Sequence, residues 1–178
     1  MTNYKDTITQ SNSMLIGIRF KPFGANHLLG FALEGTANTI NELSSSEFNF
    51  KDFLTSKTDI KCLFDNFFAK NNVDKNLQLS EIVEFINMAK GKVRVSDLAI
   101  KYCLSERQLE RIFKTKAGIT MQELCKQVRL QNTISQLKKN SKNKSILDIA
   151  FETGYYDHSH LTNDLNKYTG RCPSYYIL

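Results

Sequence analysis

The sequence predicts a mostly α-helical protein, with two helix-turn-helix subdomains joined by a long helix and preceded by a small α/β or helical N-terminal part. From residue 77 onward, apolar residues recur at the spacing of amphipathic helices, and no strand alternation interrupts them. The pattern also repeats: Asp-Leu-Ala at 97–99 recurs as Asp-Ile-Ala at 148–150. Leu109, Phe113 and Gly118 recur as Leu161, Leu165 and Gly170, with one residue added in the turn of the second copy. The repeat indicates two helix pairs of one kind.

Composition and periodicity divide the chain of 178 residues into three segments. Residues 1–13 are polar and lack periodicity, which predicts a disordered N-terminus. Residues 14–75 are interpreted as a residual regulatory or oligomerisation part. Residues 77–178 are the predicted helical domain, with one helix-turn-helix unit at 93–118 and a second at 145–170.

The N-terminal segments carry weaker signals. Ile16, Ile18 and Phe20 alternate with polar or small residues, which predicts a half-buried strand ended by Pro22 and Gly24. Residues 28–43 are apolar without a clear period. The phenylalanine-rich stretch 48–68 fits one or two amphipathic helices, for which a core or a dimer surface is a commoner role than a ligand pocket.

The helices after residue 77 have recognisable ends. The first is expected to stop at Gly91, and one of its faces is apolar. That face comprises Leu79, Ile82, Val83, Ile86 and Ala89. Ser105 and Gln108 predict a capping box, in which two side chains satisfy free N–H groups reciprocally. Residues 120–139 predict one long helix, and Ser145 is the expected N-cap of the next.

Each residue of the turn inside the second unit has an expected structural role. Gly154 can end a helix in a left-handed conformation without the steric cost that other residues bear. Tyr155 is expected to fold back into the core, with Tyr156 on the surface, and Asp157 to cap the following helix. In the first unit the roles of Gly154, Tyr155 and Asp157 are taken by Cys103, Leu104 and Ser105.

The net charge of +6 is unevenly distributed. Residues 1–76 hold eight basic and eight acidic residues, whereas residues 77–178 hold sixteen basic and ten acidic ones. This asymmetry favours a polyanionic partner for the C-terminal part, either nucleic acid or an anionic membrane. A basic domain without such a partner is the plain alternative.

Other classes of site find little support. The four cysteines at 62, 103, 125 and 172 lack metal-ligand spacing, and no disulfide framework or zinc site is expected. His158 and His160 are two residues apart and would lie on different faces of a helix. No phosphate loop, nucleophile elbow or metalloprotease motif is present, so neither an enzyme nor a cofactor is expected. No apolar run reaches the roughly 20 residues of a membrane span and no signal-peptide core is present, so a cytoplasmic location without a membrane partner is expected.

The two units resemble the DNA-binding domain of AraC/XylS-type transcription regulators. The resemblance lies in SDLAIKYCLSERQLERIFKTKAGIT and ILDIAFETGYYDHSHLTNDLNKYTGRCPSYY, and it covers over half of the chain. The residues that fit the family pattern near the C-terminus are Ala150, Gly154, Tyr155, Tyr168, Gly170, Pro173 and Tyr176. Four positions depart from it: Leu165 replaces the usual Phe, Asn163 a frequent Arg, Cys172 a Ser or Thr, and Ile177 an Arg.

The resemblance implies a sequence-specific transcription regulator, whose two recognition helices enter successive major grooves of double-stranded DNA. The outward residues of the first recognition helix are then Glu106, Arg107, Gln108, Glu110, Arg111 and Lys114. Those of the second are His158, Ser159, Thr162, Asn163, Asn166 and Lys167. Arginine can pair with guanine and glutamine with adenine, so the first helix is expected to dominate specificity. The phosphate-binding candidates are Lys114, Lys116, Lys142, Lys144 and Lys167.

RNA polymerase and a second copy of the chain are further candidate partners, and any effector is unknown. The alternative function is a helical protein–protein interaction module that uses the same fold without specific DNA binding. Residues 16–31 resemble the last stretch of the sensor domain in some AraC-type regulators. Three interpretations of the N-terminal part stay open: a chain truncated before this stretch, a diverged small regulatory domain, or a helical dimerisation module.

Overall fold

The computed structural model describes residues 11, 19–29, 32–36, 39, 77–139 and 144–177. In these ranges the chain is helical, without a strand, so the mostly α fold class is confirmed. The helices are α1 (Gly24–Leu29), α2 (Leu77–Met88), α3 (Val95–Lys101), α4 (Glu106–Ala117), α5 (Met121–Lys138), α6 (Ile146–Thr153) and α7 (His158–Thr169), followed by a 3₁₀ helix (Pro173–Tyr176). None of these helices is long and apolar enough to cross a bilayer.

Most predictions for the N-terminal part concern residues outside the described ranges. These predictions are the disordered segment at 1–13, most of the strand, and the helices in the phenylalanine-rich stretch. At its described end the strand prediction is wrong, since Arg19 and Phe20 are not in a strand. Where Gly24 was expected only to end that strand, the chain turns into α1. The turn is closed by the N–H of Gly24, which donates to the carbonyl of Lys21 at 2.8 Å.

The first helix-turn-helix unit consists of α3 and α4. At the end of α3, Cys103 adopts a left-handed conformation (φ 54) and the N–H of Leu104 donates to the carbonyl of Ala99 at 2.9 Å. Ser105 then caps α4 in the predicted capping box with Gln108. The turn is therefore as tight as predicted, with a cysteine in the conformation that glycine adopts most easily.

The second unit, α6 and α7, repeats this geometry. Ser145 forms a capping box with Asp148 at the start of α6. Gly154 is left-handed (φ 87), and the N–H of Tyr155 donates to the carbonyl of Ala150 at 2.9 Å, as Leu104 does to Ala99. Tyr155 is buried, Tyr156 is exposed and Asp157 caps α7, as the sequence predicts.

Helix α5 connects the two units and contributes to both cores. Its first half buries Met121, Leu124 and Cys125 against α2, α3 and α4. Its second half buries Leu130 and Leu137 against α6 and α7. A capping box between Thr120 and Glu123 starts the helix, and the Thr120 N–H bound to the Glu123 carboxylate lowers the pKa of that group. One continuous helix thus runs through both hydrophobic cores.

The first core also includes a residue from the N-terminal part. Phe23 is 4% exposed and packs edge-on against Phe113 of α4, with ring centroids 4.9 Å apart. The division of the chain between residues 75 and 77 stays a prediction, but Phe23 belongs to the packing of the first unit.

Helix α2 ends where the sequence predicts. Lys90 (φ 54) and Gly91 (φ 74) both leave the helix in a left-handed conformation, and the N–H of Gly91 donates to the carbonyl of Ile86 at 2.9 Å. Gly91 has a second role, because its backbone lies directly against α5. A Cβ atom there would be 2.3 Å from the carbonyl oxygen of Cys125 and 2.8 Å from the nitrogen of Arg129.

Replacing Gly91 with alanine should lower the free energy of unfolding by about 2–3 kcal/mol, because a left-handed conformation and a backbone collision act together. The matched control is Gly35→Ala. Gly35 has a similar φ of 78, and its Cβ would meet nothing within 4 Å. The control should cost only the conformational part, about 1 kcal/mol. Denaturant unfolding of both variants measures the difference, and equal midpoints would contradict the close approach of Gly91 to α5.

Candidate nucleic-acid interface

Helix α4 presents a polar face because its apolar residues anchor the opposite side. Leu109 and Phe113 are completely buried and lie four residues apart, one helical turn. The six predicted outward residues of this helix are all exposed: Glu106, Arg107, Gln108, Glu110, Arg111 and Lys114. The structure therefore places this predicted set together on one accessible surface.

Three members of that set, Gln108, Glu110 and Lys114, already make contacts on or beside their own helix. The Oε1 atom of Gln108 accepts hydrogen bonds from the N–H and the hydroxyl of Ser105, at 2.8 and 2.9 Å. Bidentate pairing with adenine needs that oxygen, so Gln108 would have to leave its capping position to read a base. Lys114 lies 3.9 Å from the carboxylate of Glu110, an exposed pair of little energetic weight.

Arg107 and Arg111 carry the largest hydrogen-bonding groups on this face. They are four residues apart on α4 and both are exposed. Their guanidinium groups offer donors in a planar fork, the geometry that matches guanine O6 and N7.

Helix α7 is positioned in the same way. The carboxylate of Asp157 accepts the N–H of His160 at 2.6 Å, and Leu161 and Leu165 are completely buried. Of the predicted outward set, His158, Ser159, Asn163 and Asn166 are exposed, whereas Thr162 and Lys167 are half-buried. The second set is thus also brought together, although it is less accessible than the first.

Two polar side chains of α7 make contacts within the domain. The hydroxyl of Thr162 donates to the carbonyl of His158 at 2.8 Å. His160 stacks edge-on against Tyr155 at 5.2 Å and lies 3.8 Å from the carboxylate of Asp164. The amides of Asn163 and Asn166 remain exposed on the same face, as do the side chains of His158 and Ser159.

Residues 98–177 match the family model described as a helix-turn-helix domain. This segment is a helix-turn-helix domain of the AraC type. The chain is also 32% identical, over 111 residues, to the raffinose operon transcriptional regulatory protein RafR of Pediococcus pentosaceus. The alignment covers 62% of this chain and 38% of RafR, so the chain spans well under half of that relative. A solved structure, the C-terminal domain of the response regulator AraT from Geobacillus stearothermophilus, matches with a TM-score of 0.49 and 21% identity. That match covers 56% of this chain and 82% of the AraT domain.

The predicted phosphate-binding lysines have different surroundings in the helix-turn-helix domain. Lys114 is exposed on α4, whereas Lys116 and Lys167 are half-buried. Lys144 forms an ion pair with Glu152 at 2.5 Å, so its charge is already partly neutralised. Lys142 lies outside the described residues.

An acidic residue that the sequence did not single out lies beside α4. The N–H of Leu33 donates to the carbonyl of Thr115 at 2.8 Å, and Leu33 also packs over Gly118, where a Cβ would be 2.7 Å from its carbonyl oxygen. This contact places the exposed Glu34 at a groove of about 530 Å³ that Arg107, Arg111 and Lys114 also line. Nothing in the local sequence of residues 32–36 indicates this position, because the contact joins segments far apart in the chain.

The thiols and imidazoles of the domain do not assemble a metal site in the described part of the chain. Cys103, Cys125 and Cys172 are free thiols. Cys172 precedes the 3₁₀ helix, and its sulfur lies 3.1 Å from the hydroxyl of Ser174, a hydrogen bond that lowers the pKa of the thiol. Burial raises the pKa of the Tyr155 phenol, which is a core group of the second turn.

Proposed function

We propose that the chain is a sequence-specific, DNA-binding transcription regulator of the AraC/XylS type. One observation carries the proposal: two helix-turn-helix units with matched turns each present the second helix outward from a shared linker helix. Helix-turn-helix proteins place that helix in a major groove. The relative RafR is a transcriptional regulatory protein, which supports the same function here.

The linker helix gives a suitable separation for two major grooves. Helix α5 has 18 residues, which corresponds to a length of about 27 Å. Successive major grooves on one side of B-DNA are about 34 Å apart. A rigid linker of this length supports simultaneous insertion of α4 and α7.

In this proposal α4 provides most of the base specificity. Arg107 and Arg111 read guanines in the first groove, and Gln108 contributes only when its capping bonds are exchanged for bonds to a base. In the second groove, Asn163 and His158 make weaker contacts. Lys114 and Lys167 bind phosphates, which strengthens binding without adding sequence information.

The other partners follow from the role of a regulator. Double-stranded DNA is the ligand, RNA polymerase is a partner at the promoter, and the cytoplasm is the location. Residues 14–75 provide oligomerisation with a second copy or the response to an unidentified effector.

A second candidate function is a helical protein–protein interaction module without specific DNA binding. The limited reading capacity of α7 favours it, since Thr162 is bound to its own helix and His160 is packed on Tyr155. Such a module would retain the fold but would show no preference among DNA sequences.

Selection of bound duplexes from a random DNA pool separates the two candidates. The full-length chain should be used, because Phe23 is part of the first core. A regulator enriches one sequence with two conserved blocks about one helical turn apart. A pool that remains random after repeated rounds, with binding at low salt only, would favour the interaction module.

The two recognition helices should contribute unequally to binding. Arg111→Ala should weaken binding by about 1–3 kcal/mol and relax the base preference at the contacted position, since a bidentate guanine contact is lost. Asn163→Ala should cost less than about 1 kcal/mol, because one amide usually offers one modest hydrogen bond in a wet interface. Titration on one selected duplex at one salt concentration measures both.

Melting temperatures provide the control for these two variants. Both side chains are exposed, so the free energy of unfolding should change by less than about 0.5 kcal/mol. If Asn163→Ala is the more damaging at unchanged stability, α7 is the principal reader and the ranking is reversed.

Glu34→Gln should increase DNA affinity by about two- to fivefold, the range expected when one exposed charge beside a binding face is neutralised. The reason is that Glu34 lies at the groove beside Arg107 and Arg111, where its negative charge repels a DNA phosphate. Glu84→Gln is the matched control, since it removes an equal charge from an exposed position on α2. An equal gain in both variants would assign the effect to net charge alone.

A further inference from the structure

The C-terminal end of α6 is completed by residues from outside the second unit. A helix leaves its last carbonyl groups without partners in the helix. Here the N–H groups of Gly154 and Tyr155 donate to the carbonyls of Phe151 and Ala150, at 3.0 and 2.9 Å. Two further carbonyls, of residues 152 and 154, accept hydrogen bonds from side chains elsewhere in the chain.

The two donors are basic side chains on different elements. The ammonium group of Lys92, in the α2–α3 loop, donates to the carbonyl of Glu152. Nη1 of Arg129, in the middle of α5, donates to the carbonyl of Gly154 at 3.1 Å. The C-terminal end of a helix carries partial negative charge, so two cations there interact favourably with it.

Lys92 is held in place by its neighbour Gly91. The backbone of Gly91 is pressed against α5, with the site of its missing Cβ 2.3 Å from the Cys125 carbonyl oxygen and 2.8 Å from the Arg129 nitrogen. The loop that carries Lys92 therefore rests on the same turn of α5 that carries Arg129. Lys92 also packs on the second unit, since a Cβ at Gly154 would be 3.2 Å from its Cε.

Arg129 is held by a second contact. Its guanidinium carbon lies 5.3 Å from the ring centre of Tyr155, a cation–π distance. Tyr155 is 3% exposed and belongs to the second core. Arg129 thus connects the linker helix to both the turn and the core of the second unit.

These hydrogen bonds favour one orientation of the second unit, which the apolar contacts alone do not. The second unit packs on α5 through Leu130, Leu137 and their neighbours, and hydrophobic contacts are non-directional. Hydrogen bonds have preferred distances and angles, and two of them, from two different elements, favour one orientation.

We propose that Lys92 and Arg129 form a clamp that fixes the second helix-turn-helix unit in one orientation relative to the first. Both are positioning residues. The consequence for DNA rests on the function proposed above: the clamp determines which separation between the two recognised sequence blocks the protein accepts. One inserted base pair shifts the second block by about 3.4 Å and rotates it by about 34°. A clamped protein tolerates that change poorly.

The orientation can be tested on the full chain without DNA. Residual dipolar couplings of backbone amides should fit a single alignment tensor for α3, α4, α6 and α7 in the wild type. In the variant Lys92→Met/Arg129→Gln, the couplings of α6 and α7 should no longer fit the tensor of α3 and α4. The control is Lys126→Gln, which removes a charge from the cleft that Lys92 and Arg129 also line.

Two further variants, Arg129→Lys and Lys92→Met, show whether a change in orientation comes from loss of the clamp. Arg129→Lys in an otherwise wild-type chain should retain the shared tensor, because a cation remains at the carbonyl of Gly154. Lys92→Met changes an exposed side chain, so it reports on the clamp even if the double variant does not fold. One tensor that fits both units in Lys92→Met and in a folded double variant would overturn the proposal.

The spacing of the DNA blocks provides the second measurement. A one-base-pair insertion between the blocks of the selected duplex should weaken binding by the wild type and by Lys126→Gln at least about tenfold, similar to the loss of well-made base contacts. The double variant should lose less than about threefold, because its second unit can follow the shifted block. An undiminished insertion penalty in the double variant would overturn the clamp, whereas absence of DNA binding with separate tensors would overturn the proposed function and leave the clamp supported.

Discussion

Phe23→Ala should lower the free energy of unfolding by about 3–5 kcal/mol, the cost of removing a large aromatic side chain from a core. Phe23 is 4% exposed, and its ring lies edge-on to Phe113, which is itself completely buried. The substitution would leave a cavity beside Phe113 that the surrounding helices can fill only in part. In a chain of this size the melting temperature should fall by about 10 °C.

Calorimetry of the full-length chain measures this loss, and Tyr156→Ala is the matched control. Tyr156 is also aromatic but is 85% exposed, so its removal should change stability by less than about 0.5 kcal/mol. A Phe23→Ala variant that melts with the wild type would place Phe23 outside the core.

The local features of the domain could be predicted because their causes lie within a few residues of one another. The predicted capping box at Ser105 depends on a partner three residues later, and the predicted N-cap at Ser145 proves to be a capping box of the same kind. The turn at Gly154 depends on one residue that tolerates a positive φ, followed by an aromatic side chain that returns to the core. The internal repeat then predicted the less obvious case, Cys103 in the same conformation.

Contacts between distant segments left no such trace in the sequence. Phe23 is separated from Phe113 by about half of the chain, and a single phenylalanine beside Pro22 does not indicate which core it joins. Gly91 ends α2 as expected, but the close approach of its backbone to α5 could not be seen in the sequence. Lys92 and Arg129 would be taken for ordinary exposed cations until their hydrogen bonds to α6 are seen.

The candidate site shows the same division. The outward faces of α4 and α7 follow from the family resemblance, and the structure agrees, since Leu109, Phe113, Leu161 and Leu165 are buried on the opposite sides. The sequence does not show which of these side chains are free to contact a base and which are already hydrogen-bonded within the protein. Gln108 satisfies two sequence rules at once, as a capping residue and as an adenine reader, and only the structure shows which contact it makes.

DNA binding by the full chain should weaken about a thousandfold when the salt concentration rises from 50 to 200 mM, since about five or six phosphate contacts give a slope near −5 in log K against log salt. The reason is the charge distribution: residues 77–178 hold sixteen basic and ten acidic residues, whereas residues 1–76 are balanced. Fluorescence anisotropy titrations of one selected duplex at four or more salt concentrations would give the slope. Lys114→Gln should reduce its magnitude by about one, as the loss of one phosphate contact does. Melting curves at each salt concentration separate this effect from unfolding. A slope near zero, or no binding at the lowest salt, would remove DNA as the partner, because a protein that neutralises phosphates must release counterions when it binds.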